Sequence, residues 1–221
     1  MKHLKIFNLL ILGGLLAVTP MQAFAENTSK NYNCIQDIND IGARNNIDIK
    51  VTDSYITVNG FRIAVDTKSV RGQAVLSAVQ KLGDPYAWGG EGAPWSGSLS
   101  TYTGETVVWS DSNYTYESRI GKPSYDCSGL IQAAYADAGI QLSHYSGSQC
   151  SEQYGGKIIN SVQTMKPGDI AGDNNHVVMY LGGGYIIEAP CTGKTVRIIS
   201  LQDRFGGMKF PESYTCISYF N

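Results

Sequence analysis

One change of period limits what this chain can fold into. Up to about residue 139 the long apolar patterns are helical, and beyond it they are short and strand-like. Val75, Leu76, Val79 and Leu82 recur at helical spacing, and Gly83 stops the helix. Cys127 to Ala138 repeats the pattern with Leu130, Ile131, Ala134 and Tyr135, and Gly139 is its stop. His176–Leu181 and Tyr185–Ala189 then read as two strands joined by a glycine-rich turn. Thr195–Ile199 and Tyr214–Tyr219 read as further strands. Helices followed by an antiparallel run of strands predict an α+β fold, with helices packed on an antiparallel sheet.

The first 25 residues stand outside this pattern. Lys2 and Lys5 precede an apolar run from Ile6 to Val18, and Ala23-Phe24-Ala25 has small residues at the two positions a signal peptidase reads. This is the form of a secretory signal peptide, too short in its apolar part for a stable span, with cleavage expected after Ala25. The mature chain is expected to be secreted, or held in the cell wall or periplasm, with no membrane span. Residues 26–68 read as a small appendage with a hairpin, Ile49–Val58 and Phe61–Val65 around an Asn59-Gly60 turn. The main domain is expected over 69–221. Inside it, residues 91–124 have no clear period and many Gly, Ser, Tyr and Trp residues, as an insertion would.

Without Lys2 and Lys5, 15 basic residues face 19 acidic ones, a net charge of −4. That balance lacks the basic face a nucleic-acid partner requires. All five cysteines, Cys34, Cys127, Cys150, Cys191 and Cys216, follow the signal peptide. Export permits disulfides, but an odd count leaves at least one thiol over.

Cys127 falls at the start of its helix, where unpaired amides and the helix dipole favour a thiolate. Asp126 is placed to cap that helix, and the small residues Ser128 and Gly129 leave room for a carbonyl substrate near the backbone. The plainer alternative is a buried or disulfide-bonded cysteine. A nucleophile needs a base, and His144 and His176 are the histidines left after cleavage. His144 reads as a surface residue in a polar loop. His176 opens an apolar strand, and Glu188 interrupts another, where a carboxylate is costly unless paired or exposed. His176 and Glu188 lie 12 residues apart, so direct opposition in one hairpin requires an odd loop, or a bulge to correct the register. A zinc site of Cys127, His176, Glu188 and Cys191 has suitable ligand types, but no paired Cys-x-x-Cys supports it.

Four segments together resemble the NlpC-type cell-wall cysteine peptidases. They are Asp84-Pro85-Tyr86-Ala87-Trp88-Gly89-Gly90, Tyr125-Asp126-Cys127-Ser128-Gly129-Leu130, Lys166-Pro167-Gly168-Asp169-Ile170, and His176 to Gly182 with Ile187-Glu188-Ala189-Pro190. The resemblance implies a papain-like fold with Cys127 as nucleophile, His176 as general base and Glu188 at the third, orienting position. Histidine is commoner at that third position, and the acidic variant also occurs in the family. Tyr86 matches a tyrosine that lies near the nucleophile, and Trp88 and Gly129 fall in the substrate-binding motifs. Asp126 and Ser128 match positions that bind the free amino end of a stem peptide. The implied reaction is hydrolysis of the peptidoglycan stem between D-glutamate and the following diamino acid, through a thioester, with no cofactor and no metal. An amidase or acyltransferase on the same scaffold, or a non-catalytic disulfide-stabilised wall-binding domain, are the alternatives. Besides Glu188 at the third position, two features depart from the pattern, the long 91–124 segment and Cys191 three residues after Glu188.

Overall fold

The computed structural model describes residues 47–221. The expected signal peptide, residues 26–46 and Cys34 lie outside the described residues. The first described elements are three short strands, β1 (Ile49–Thr52), β2 (Tyr55–Val58) and β3 (Phe61–Ala64), joined as an antiparallel meander. Two two-residue turns make it: Asp53-Ser54, where Thr52 Oγ1 accepts from the amide of Tyr55, and Asn59-Gly60. Asn59 and Gly60 both have positive φ (47° and 85°), as a type I′ turn requires. The run from Ile49 to Val58, which reads as one strand in sequence, is therefore two. Ile49, Ile56 and Ile63 line the buried face of the meander and join the main core. The ring of Phe61 meets that of Tyr185, 4.4 Å between centroids, on the main sheet.

Helix α1 (Val70–Gln80) starts where the Ser69 hydroxyl accepts from the amide of Gly72. It lies against α2 (Cys127–Asp137), and Ser77 Oγ and Lys81 Nζ both reach Asp137, at 2.6 and 3.2 Å. Between the helices run β4 (Glu91–Pro94), β5 (Ser98–Ser100), β6 (Thr103–Thr106) and β7 (Pro123–Tyr125), with β4 on β7 and β5 on β6. The 91–124 segment is thus built, not shapeless. Trp95, Trp109 and Tyr116 form an aromatic cluster at its centre, with ring centroids 5.2–6.1 Å apart.

After α2 come the short helix α3 (Ser146–Gln149) and strands β8 (Lys157–Ile159), β9 (Ile170–Gly172), β10 (Val177–Gly182), β11 (Tyr185–Glu188) and β12 (Arg197–Ser200). The short helix α4 (Leu201–Phe205) and the strand β13 (Thr215–Ser218) complete the described chain. Strands β8 to β13 form one antiparallel sheet in the order β12-β11-β10-β9-β13-β8. One face packs on α1 and α2 through Val177, Met179, Leu181 and Ile187. The other buries Val178, Tyr180 and Ile186 against Leu201 and Phe210. The alternation of these residues along β10 and β11 is what two buried faces demand. The buried ion pair Arg71–Asp169, 2.7 Å, and the bond from Tyr135 Oη to Gly168 O, 2.6 Å, join both helices to the turn before β9. The fold is α+β, and among the described residues no helix is long and apolar enough to cross a membrane.

Candidate active site

The site lies where the start of α2 meets one end of β10 and β11. Asp126 caps α2, and its carboxylate makes four contacts inside the protein. Oδ1 accepts from Ser128 Oγ (3.0 Å) and the amide of Gly129 (2.7 Å) and pairs with His144 Nε2 (2.8 Å); Oδ2 accepts from the amide of Gly89 (2.9 Å). Three of these contacts share Oδ1, while Oδ2 takes a single bond and keeps an acceptor position. Burial pushes the Asp126 carboxyl up, but the bonds from His144, Gly129 and Gly89 outweigh it and hold its pKa below the usual range.

His144 is accordingly not a surface residue. Its side chain is 19% exposed and lies between Asp126 and Glu91, whose Oε2 is 3.4 Å from Nδ1. The bond to Asp126 raises its pKa in spite of burial. Gly129 is where α2 passes closest to the loop before β4: a Cβ there would fall 1.9 Å from the carbonyl oxygen of Gly90. The amides of Cys127 and Ser128, by contrast, have no acceptor among the described residues, as the first donors of a helix do not.

Cys127 opens α2 as a free, buried thiol. Cys150, Cys191 and Cys216 are also free, so no bridge joins the described cysteines. His176 is delivered to Cys127 by the tight turn between β9 and β10. Asp173 accepts the amide of His176 on Oδ1 and donates its own amide to the His176 carbonyl. His176 Nε2 bonds Glu188 Oε2 at 2.8 Å, which leaves Nδ1 for the sulfur of neighbouring Cys127. Burial lowers the His176 pKa, but the bonds to Cys127 and Glu188 reverse the effect and raise it to about 9.

The hairpin meets the register requirement with a bulge between Tyr180 and Gly182. Direct opposition is not what results. Met179 faces Ile187, so the register continued sets Glu188 against Val178, and His176 is its diagonal neighbour on the same face.

Glu188 is fully buried, and its price is met by cations that sequence reasoning missed. Arg197, directly across β12, gives two bonds to Oε1 (Nε 3.1 Å, Nη2 2.8 Å). Arg204 of α4 gives Nε to Oε2 at 3.0 Å. Burial pushes the Glu188 carboxyl up, yet His176, Arg197 and Arg204 together pull it down to about 2. The available signal was the buried glutamate itself, which demands cations from the neighbouring strand.

Tyr86 is buried beside Cys127, and burial, then the nearby sulfur, drives its hydroxyl pKa well above the usual value. Trp88 is 62% exposed and stands on a recess bordered by the 91–124 segment. Among the described residues no group of three His, Cys, Asp or Glu side chains is placed to hold a metal ion.

What the geometry defines is an α+β domain that sets a helix-start thiol against a histidine aligned by a buried carboxylate. The NlpC/P60 family model matches residues 83–211, more than half of the chain, and the chain belongs to that family. It is 37% identical over 128 residues to peptidoglycan endopeptidase RipA of Mycolicibacterium smegmatis, covering 56% of this chain and 22% of that protein. The chain thus spans about a fifth of the length of that curated relative. Among solved structures, a hypothetical invasion protein of Mycobacterium tuberculosis is 31% identical with a TM-score of 0.47, covering 68% of this chain and 63% of that one. RipD of Mycobacterium tuberculosis, described as a non-catalytic NlpC/p60 domain protein adapted to peptidoglycan binding, is 20% identical with a TM-score of 0.47, covering 69% and 99%.

Proposed function

We propose that this chain is an exported cysteine peptidase that hydrolyses the peptide stem of peptidoglycan, in the papain-like manner. The observation that carries the reading is Glu188, a buried carboxylate whose cationic partners leave it one task, to hold His176 against the free thiol of Cys127. A purely structural carboxylate would gain nothing from a neighbour that is itself bonded to a cysteine at a helix start.

In the proposed reaction the Cys127 thiolate attacks the amide carbon, and the unpaired amides at Cys127 and Ser128, with the Tyr86 hydroxyl, face the developing oxyanion. His176 gives its Nδ1 proton to the leaving amine, which departs and leaves a thioester. Water then attacks the thioester with His176 as base, releasing the acid and the thiol. The bond implied by the family pattern is that between D-glutamate and the diamino acid. The endopeptidase relatives support the substrate class, and the leader sequence supports export.

The test is digestion of purified peptidoglycan, with the fragments identified by mass. Cys127→Ala is expected to lower the rate by about a thousandfold or more while circular dichroism and the melting temperature stay unchanged. Full activity in that variant would end the reading, and fragments cut at muramic acid would make the enzyme an amidase instead.

A further inference from the structure

The recess beside Trp88 has no part in the peptide chemistry above. It holds about 430 Å³ and is lined by Trp88, Leu99, Ser100, Tyr102, Thr103 and Thr192. That volume is within the roughly 300–1,000 Å³ of small-ligand sites. Its lining is aromatic, aliphatic and hydroxyl, with no charged side chain. Trp88 and Tyr102 are 62% and 75% exposed, unusual for large rings that a core would welcome.

The backbone that carries these rings is held in place. The Trp88 backbone bridges Ser100, taking a bond from the amide of Thr101 at 2.9 Å and giving one to Leu99 O at 3.2 Å. The Tyr102 amide donates to Ser100 Oγ at 3.0 Å. The Tyr102 ring lies over the backbone of Gly89, where a Cβ would fall 2.3 Å from it. Gly89, at φ +74°, thus permits both the turn and the ring's approach. The result is two open aromatic faces on a bonded backbone, bordered by hydroxyls.

We propose that this recess is a saccharide subsite that takes an N-acetylhexosamine ring of the glycan strand, and that the enzyme therefore acts on stems still attached to glycan. This rests on the peptidase reading of Cys127. A pyranose ring has an apolar C–H face that suits indole and phenol rings, and hydroxyls that suit Ser100, Thr103 and Thr192. A stem peptide, with its carboxylates and ammonium group, would find no counter-charge there. The position fits as well. Trp88 is two residues beyond Tyr86 along a bridged segment, so the recess borders the stretch of chain that carries the tyrosine beside Cys127. Thr192 lies in the loop whose Lys194 carbonyl accepts the Tyr86 amide at 2.9 Å.

Two measurements test the subsite. Tetra-N-acetylchitotetraose is titrated into full-length Cys127→Ala protein by calorimetry, alone and with Trp88→Ala, Trp88→Phe or Tyr102→Ala added. Saturable binding is expected, lost in Trp88→Ala, retained in Trp88→Phe, and weakened about tenfold in Tyr102→Ala. Separately, wild-type kcat/KM is compared on a disaccharide-linked stem peptide and on the same peptide without sugar. A preference of about tenfold or more for the linked form is expected, carried by KM and reduced in both the Trp88→Ala and Tyr102→Ala variants. Equal or better cleavage of the free peptide, or chitotetraose binding that is absent or indifferent to both rings, overturns the subsite. Ring-dependent chitotetraose binding without cleavage of either substrate would leave the subsite standing and overturn the peptidase reading.

Discussion

Replacing Glu188 with glutamine keeps the shape of the buried side chain and removes its charge. The amide must choose an orientation. Its oxygen is best left at the Oε1 position, where Arg197 gives two bonds, so the NH2 group falls on the side of His176 and Arg204. There it donates to His176 Nε2, and the neutral ring must carry its proton on Nδ1, toward the sulfur. The ring then cannot accept the thiol proton. Loss of an adjacent opposite charge lowers an imidazole pKa by about 1–3 units, or about 1.4–4 kcal/mol. His176 stands at about 9 in the native protein, so the alkaline limb of kcat/KM is expected to move from about 9 to about 6–8. The rate at the optimum should fall about 10²–10⁴-fold. Folding should lose less than the 3–5 kcal/mol typical of a broken buried pair, because Arg197 and Arg204 are about a third exposed and water can serve them. The assays are a pH–rate profile, an NMR titration of the His176 ring and urea unfolding. A folded Glu188→Gln protein with the wild-type alkaline limb would refute the argument that this carboxylate holds the imidazolium.

The same pair sets a pH window for stability. His176 is raised from 6.5 to about 9, so its contribution is whole below pH 6.5 and is lost as pH rises through 9. Glu188 is lowered from 4.5 to about 2, so its contribution is whole above pH 4.5 and is lost as pH falls toward 2. Calorimetric melting should therefore peak between pH 4.5 and 6.5, and a midpoint still climbing above pH 9 would contradict this. Gly129→Ala should destabilise by about 3 kcal/mol or more in chemical denaturation, because the new Cβ meets backbone at Gly90 and neither side can yield cheaply. Iodoacetamide on the native protein, read by peptide mass mapping, should mark Cys191, the exposed thiol, and Cys127. Cys150 and Cys216 should resist, because burial pushes their thiols up to about 12 and about 11.

What could be read in the sequence was mostly local or consecutive. The helix carrying Cys127 has its cap, its apolar face and its stop within fourteen residues, Asp126 to Gly139. The hairpin carrying His176 and Glu188 is contiguous, and a parity argument could ask of it an odd loop or a bulge, of which the bulge is present. The features that escaped depend on distant partners. His144 looks like loop polarity until Asp126, 18 residues earlier, is seen to face it. Arg197 and Arg204 look like surface cations until the strand order brings them onto Glu188. The turn at Asp53-Ser54 has no glycine to announce it, so a continuous β-rich run concealed a chain reversal. Strand β4, with a glycine and a proline among four residues, is a strand only because Pro123–Tyr125 pairs with it some thirty residues later.

The 91–124 segment is tied to the domain along its whole length. β4 pairs with β7 at its base, Arg119 donates to the carbonyl of Gly83, and Asp111 accepts from both the amide and the hydroxyl of Thr195. Lys194 and Ser110 add another tie. A flap that had to swing shut over each substrate would need to break these attachments at every turnover. This border is instead a standing rampart, bonded to the body of the domain on both sides, and the recess beside it opens directly to solvent.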